Sequence, residues 1–107
     1  MNRKVYIAGM ITGDPNYREK FQRIEDFIRQ CGDIVLNPAV LPEGMSRADY
    51  MRICFAMMET ADFVVFLPDA HKSEGAMVEM AWCQYIQKPY SVNLYGSLTD
   101  VRNEHHD

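Results

Sequence analysis

The chain has 107 residues, 48% of them hydrophobic, and a formal net charge of -4 at pH 7. That length supplies one core and leaves no room for a separate substrate-binding domain, so residues 1–107 are read as a single domain. With no run of Lys or Arg longer than Arg3-Lys4, the chain lacks the footprint of a nucleic-acid polymer binder, and no apolar run approaches the roughly 18 residues of a membrane span.

Three cysteines, Cys31, Cys54 and Cys83, are odd in number, show no CxxC spacing and sit in helical patterns among apolar neighbours. They read as reduced core residues of a cytoplasmic protein. His71 stands alone, and His105 and His106 adjoin in a polar C-terminal stretch, so no metal site is expected, and no cofactor either.

Lys4-Val5-Tyr6-Ile7-Ala8-Gly9 is a short apolar run ending in glycine, the pattern of a central strand buried on both faces. Asp14 followed by Pro15 predicts a helix start, and Tyr17, Phe21, Ile24, Ile28 and Cys31 continue it at three- and four-residue spacing until Gly32. Asp33 to Leu36 predicts a second strand, broken by Asn37-Pro38 and followed by a loop reaching Gly44. Ser46 with Asp49 resembles a capping box, opening a helix whose stripe is Tyr50, Ile53, Cys54, Met57 and Ala61. Phe63 to Leu67 is a β-branched and aromatic run ended by Pro68 and predicts a third strand. A helix from about Gly75 to Gln87 then stops before Lys88-Pro89, and Tyr90 to Leu94 offers a fourth strand. Beyond it only Leu98 and Val101 stand out as anchors.

Strand and helix alternate, which implies right-handed crossovers and an α/β fold. The expected architecture is a flavodoxin- or Rossmann-like three-layer sandwich whose parallel sheet of about four strands has the order 2-1-3-4. The chain then leaves strand 1 in opposite directions, opening a ligand crevice at the carboxyl ends of strands 1 and 3.

Four features bear on chemistry. Glu79 is the only charged side chain from Ala76 to Gln87, so it must be hydrogen-bonded, paired or protonated if that helix is covered. Ser73-Glu74-Gly75-Ala76 opens the same helix with a hydroxyl, a glycine and free N–H groups, which suit an anion; capping alone would use Ser73 as well. Gly9-Met10-Ile11-Thr12-Gly13 lies where a doubly wound fold places its first ligand loop, yet it is neither GxGxxG nor GxxxxGK[ST]. Tyr6, on strand 1, is placed to send its hydroxyl toward a carboxylate on the helix after strand 3, or simply to pack.

Together, KVYIAGMITG, NPAVLPEG, ADFVVFLPD and SEGAMVEMAWCQYIQKP resemble, in order and spacing, the nucleoside 2-deoxyribosyltransferase-like superfamily, and within it the small DUF4406-type branch. The resemblance implies an N-glycosidase or deoxyribosyltransferase acting on a nucleoside or its 5′-monophosphate. It assigns Glu79 as the nucleophile and Tyr6 as the group that orients it. Gly9, Met10, Thr12 and Gly13, with Ser73 and Gly75, become the substrate-binding set around a 5′-phosphate, and Asp69 a candidate acid for the leaving base.

The sequence departs from that family at Cys54, where an aspartate is common, and at Met10, where a proline is common. Cys54, the acid missing there and the short stretch after strand 4 carry the alternative, a non-catalytic nucleotide-binding or regulatory module on the same fold. Eight methionines and six tyrosines imply apolar surface beyond one core, and Met51, Phe55 and Met58 widen the second helix's stripe, so a homodimer through that face is expected.

Overall fold

The computed structural model describes residues 2–92. In chain order the elements are β1 (Lys4–Ala8), α1 (Tyr17–Gln30), β2 (Ile34–Leu36), α2 (Arg47–Thr60), β3 (Phe63–Phe66), α3 (Glu74–Ile86) and β4 (Tyr90–Val92), with single 3-10 turns at Pro38–Val40 and Pro68–Lys72. Every strand pairing is parallel and the order is β2-β1-β3-β4, the topology expected from the alternation.

Side-chain alternation on β1 and β3 divides the core into two halves. Val5, Ile7, Phe63 and Val65 pack beneath Phe21, Ile24 and Ile28 of α1. Tyr6, Ala8, Val64 and Phe66 point the other way, against Cys54 and Met58 of α2 and Ala76 and Cys83 of α3. One helix therefore covers one face and two cover the other. The period of two sends Tyr6 toward α2 and α3, the layer that carries Glu79. A shift of one residue would bury Val5 there instead.

Element ends follow local chemistry. Asp14 does not cap α1: its carboxylate accepts the Asn16 N–H at 2.9 Å and the Lys20 ammonium at 2.6 Å, and the helix begins at Tyr17. The aspartate is spent on a turn of its own, which delays the helix past Pro15. Ser46 accepts the Asp49 N–H at 3.1 Å, fulfilling the capping half of the expected box. β3 ends at Phe66, and Leu67, though 2% exposed, leads into the 3-10 turn. α3 starts one residue early, capped by Ser73, and stops where Gln87 takes the left-handed conformation, φ 61°.

Other expectations shift on burial. Met58 is fully buried in the core, so it adds nothing to an outer face of α2. Cys54 and Cys83 are buried, whereas Cys31 is half-buried at the end of α1. Leu94, Leu98 and Val101 lie outside the described residues. Among the described residues no helix is long and apolar enough to cross a membrane.

Candidate functional site

Tyr6 is 1% exposed in the middle of β1, paired with Leu36 of β2 on one side and Val64 of β3 on the other. A phenol enclosed that far needs an acceptor. Its hydroxyl donates to Glu79 Oε2 at 2.8 Å, joining the central strand to α3. Glu79 is itself 5% exposed, and its Oε1 takes no hydrogen bond from any described residue. The carboxylate is thus anchored through one oxygen and free at the other.

Burial pushes the Glu79 carboxyl up to about 7, and the Tyr6 hydrogen bond partly offsets that rise. Near neutral pH the group divides between acid and carboxylate. The Tyr6 phenol is held well above its usual range by burial first and by the Glu79 charge second, so it stays a donor. Two thiols border the pair. Burial raises Cys54, the neighbouring Tyr6 hydroxyl opposes that rise, and the Glu79 charge adds to it. Burial and the Glu79 charge push Cys83 up to about 11. Both remain thiols, and at Cys83 the opposing Lys88 charge does not outweigh burial.

A second cluster lies where β1 and β3 end. Gly9 leaves β1 so close to the β3 loop that an added Cβ would stand 3.0 Å from Leu67 Cδ1 and 3.2 Å from Asp69 Oδ1. Asp69 Oδ1 accepts the Met10 N–H at 3.1 Å. The Lys20 ammonium, reaching from α1, donates to Asp69 Oδ2, to Asp14 Oδ2 at 2.6 Å and to the Met10 carbonyl at 3.0 Å. One buried-stem lysine therefore spans three segments, using all its donors. Gly13 closes the loop at φ 92°, a conformation that glycine adopts without strain. Thr12 is exposed at its tip.

Ser73 Oγ accepts the Ala76 N–H at 3.2 Å, which leaves the hydroxyl proton of Ser73 able to donate outward. The first N–H groups of α3 have no intrahelical carbonyl to meet, and the helix dipole favours negative charge there. Arg47, at the start of α2, lies 3.5 Å from Glu74 Oε1 and ties the two helix starts together. Gly75 has room: an added Cβ would meet only Met51 Sδ at 3.8 Å and Ser73 Oγ at 3.9 Å.

The expected residues thus form a Tyr6–Glu79 pair, a Gly9–Met10–Asp69 loop junction and a Ser73–Gly75 helix start. Among the described residues no hydrogen bond joins the pair to the loop junction. Asp69 has both oxygens engaged, so proton delivery from it requires it to leave Lys20. Lys20 itself was not legible as a site residue, since it is one of several cations on α1 and its partners are distant in sequence. Arg18 is similar: it donates to the Ala39 and Leu41 carbonyls at 2.7 and 3.3 Å and fixes the loop after β2.

Residues 3–91 match the family described as a domain of unknown function, DUF4406. The chain belongs to the DUF4406 family. No curated protein and no solved structure matches it. The DUF4406 match runs from the residue before β1 into β4, so the Tyr6–Glu79 pair, the loop junction and the helix start all fall inside the family's domain.

Proposed function

We propose that this DUF4406 domain cleaves the N-glycosidic bond of a nucleoside or nucleoside 5′-monophosphate, by hydrolysis or by transfer of the sugar to another base. The observation that carries the reading is the 2.8 Å bond from Tyr6 to Glu79 in an enclosed site, with Glu79 Oε1 left free. It is supported by the resemblance of the surrounding motifs to nucleoside 2-deoxyribosyltransferase-like proteins.

In the proposed reaction Glu79 Oε1 attacks the anomeric carbon as the bond to the base nitrogen breaks, and that bond's electron pair leaves with the base. The base takes up a proton, and an ester links sugar to Glu79. Water or a second base then attacks the same carbon and frees the carboxylate, the two-step logic of retaining glycosidases. Positive charge develops on the sugar at each step, and a fixed carboxylate stabilises it. Tyr6 holds Oε2, which keeps Oε1 aimed and favours the ionised form. Gly9, Met10, Thr12, Gly13, Ser73 and Gly75 form the proposed phosphate-facing set, with the Ser73 hydroxyl and the α3 N–H groups as donors. Asp69 enters through its hold on the Met10 N–H, which shapes that loop.

Chromatography of a panel of nucleosides and 5′-monophosphates, incubated with native protein and with Glu79→Gln, tests the proposal. Free base from at least one substrate with native protein only is the supporting result. No base from any substrate, with both proteins folded, removes it. Binding of a nucleotide without release would instead favour the non-catalytic module, a reading to which Cys54 contributes: a thiol beside Tyr6 and Glu79 supplies no second negative charge.

A further inference from the structure

We infer that Asp69 is a specificity-determining residue: its carboxylate fills the anion-binding groups of the first loop, so that the site takes an unphosphorylated nucleoside and rejects the 5′-monophosphate. The inference rests on the proposed nucleoside site and chooses between the two substrate classes named for it. A loop that receives a phosphate offers backbone N–H groups and a cation. The Met10 N–H and the Lys20 ammonium are such groups, and both are bound to Asp69. Oδ1 accepts the Met10 N–H at 3.1 Å, and Oδ2 accepts from Lys20. The Asp14 N–H, at the far end of the loop, is given to the Ile11 carbonyl at 3.2 Å. Gly9 makes room for the carboxylate, because an added Cβ there would stand 3.2 Å from Asp69 Oδ1.

Lys20 has no donor to spare, since its other hydrogens go to Asp14 Oδ2 at 2.6 Å and the Met10 carbonyl at 3.0 Å. Lys20 first, and then the Asn16 amide, hold the Asp14 carboxyl below its usual range, so it stays ionised at neutral pH. Two carboxylates to one ammonium leave the junction with negative charge in excess. Arg18, the next cation at the start of α1, is turned to the Ala39 and Leu41 carbonyls, and Arg47 is paired with Glu74. The Asp69 and Lys20 side chains are 23% and 17% exposed, so a ligand reaches them. A phosphate dianion seated there meets like charge, and it displaces Asp69 only by leaving that carboxylate without Lys20. A 5′-hydroxyl is uncharged and needs neither group. Discrimination of this kind comes from an unfavourable contact with the rejected ligand.

Calorimetric titration with a nucleoside and with its 5′-monophosphate, beside base release from the same compounds, tests the inference on native protein, Asp69→Asn and Asp69→Ser. Both variants keep an acceptor for the Met10 N–H and remove the charge. The expected result is native protein that binds the nucleoside at least about tenfold more tightly than the monophosphate, with the gap narrowed in the variants. Native protein that binds the monophosphate as tightly or more tightly overturns the inference whether or not the variants fold. Base release from monophosphates alone also overturns it and leaves the proposed reaction standing. A native preference that both folded variants leave unchanged overturns it as well. A nucleoside preference that depends on Asp69, with no base released, removes the proposed reaction and keeps the role of Asp69; binding of neither compound removes both.

Discussion

Tyr6 and Glu79, 73 positions apart in sequence, are joined by a 2.8 Å hydrogen bond in the buried space between β1 and α3. The parallel sheet makes the meeting possible. Alternation along β1 turns Tyr6 toward the two-helix layer, and the crossover from β3 to β4 lays α3 over the place where it points. Removing the hydroxyl leaves a buried carboxyl without its donor, which costs about 1–3 kcal/mol. Tyr6→Phe should therefore unfold at lower denaturant concentration than the native protein, with an unchanged slope, in urea titrations followed by circular dichroism.

The same bond predicts a change in pH response. Burial raises Glu79 to about 7 and Tyr6 opposes the rise, so Tyr6→Phe moves the Glu79 titration to higher pH. If ionised Glu79 is the nucleophile, base release climbs with pH through about 7 in native protein. In Tyr6→Phe the limb lies further to the alkaline side. An unchanged limb would show that the hydroxyl does not act on Glu79.

Folding stability should respond in the opposite sense. A carboxyl raised from 4.5 to about 7 binds a proton more tightly when folded, so its contribution is fully present below 4.5 and is lost as pH rises through about 7. The full effect is on the order of 3 kcal/mol. Glu79→Gln, which keeps an acceptor for Tyr6 but cannot ionise, should flatten this dependence between pH 5 and pH 8 (roughly the window the linkage sets). Thermal unfolding at several pH values measures it.

The glycines differ in what they tolerate. Gly13→Ala forces a side chain onto φ 92° and crowds Met10, and is expected to lose about 1–2 kcal/mol. Gly75→Ala meets only ordinary contacts and replaces glycine inside α3, so it should gain about 0.5–1 kcal/mol. Nucleotide calorimetry on Gly75→Ala separates the two roles considered for this position. Weaker binding by a more stable protein marks it as a place where ligand approaches the backbone.

Lys20 is the residue whose loss should disturb the first loop most. Lys20→Met leaves Asp14 and Asp69 facing each other without the cation between them, which should lower stability. Hydrogen exchange at the Met10 amide, now bound to Asp69, should accelerate in that variant.

Much of this arrangement was legible in the residue pattern because it follows from periodicity. The continuous apolar runs around Tyr6 and Val64 mark strands buried on both faces, the helical spacing of Phe21, Ile24 and Ile28 marks the covered side of α1, and strand–helix alternation fixes the order. Glu79 stood out because a single charge in an apolar helix needs a reason. What stayed hidden depends on tertiary competition. Asp14 carries the signature of a helix cap, but a turn amide and Lys20 claim its carboxylate. Met58 extends α2's apolar stripe in projection, yet it falls inside, where Cys83 meets it at 3.6 Å. Lys20 looks like any other cation on α1 until the β3 loop is folded against it.

The central claim is that Glu79 bonds to the sugar, and the most direct measurement is mass spectrometry of peptides from an acid-quenched reaction with a substrate that releases base. A sugar-sized mass increase on the peptide carrying Glu79, absent from Glu79→Gln, is the predicted result. Base release with Glu79 unmodified throughout, or with the sugar attached to a different residue, would contradict it.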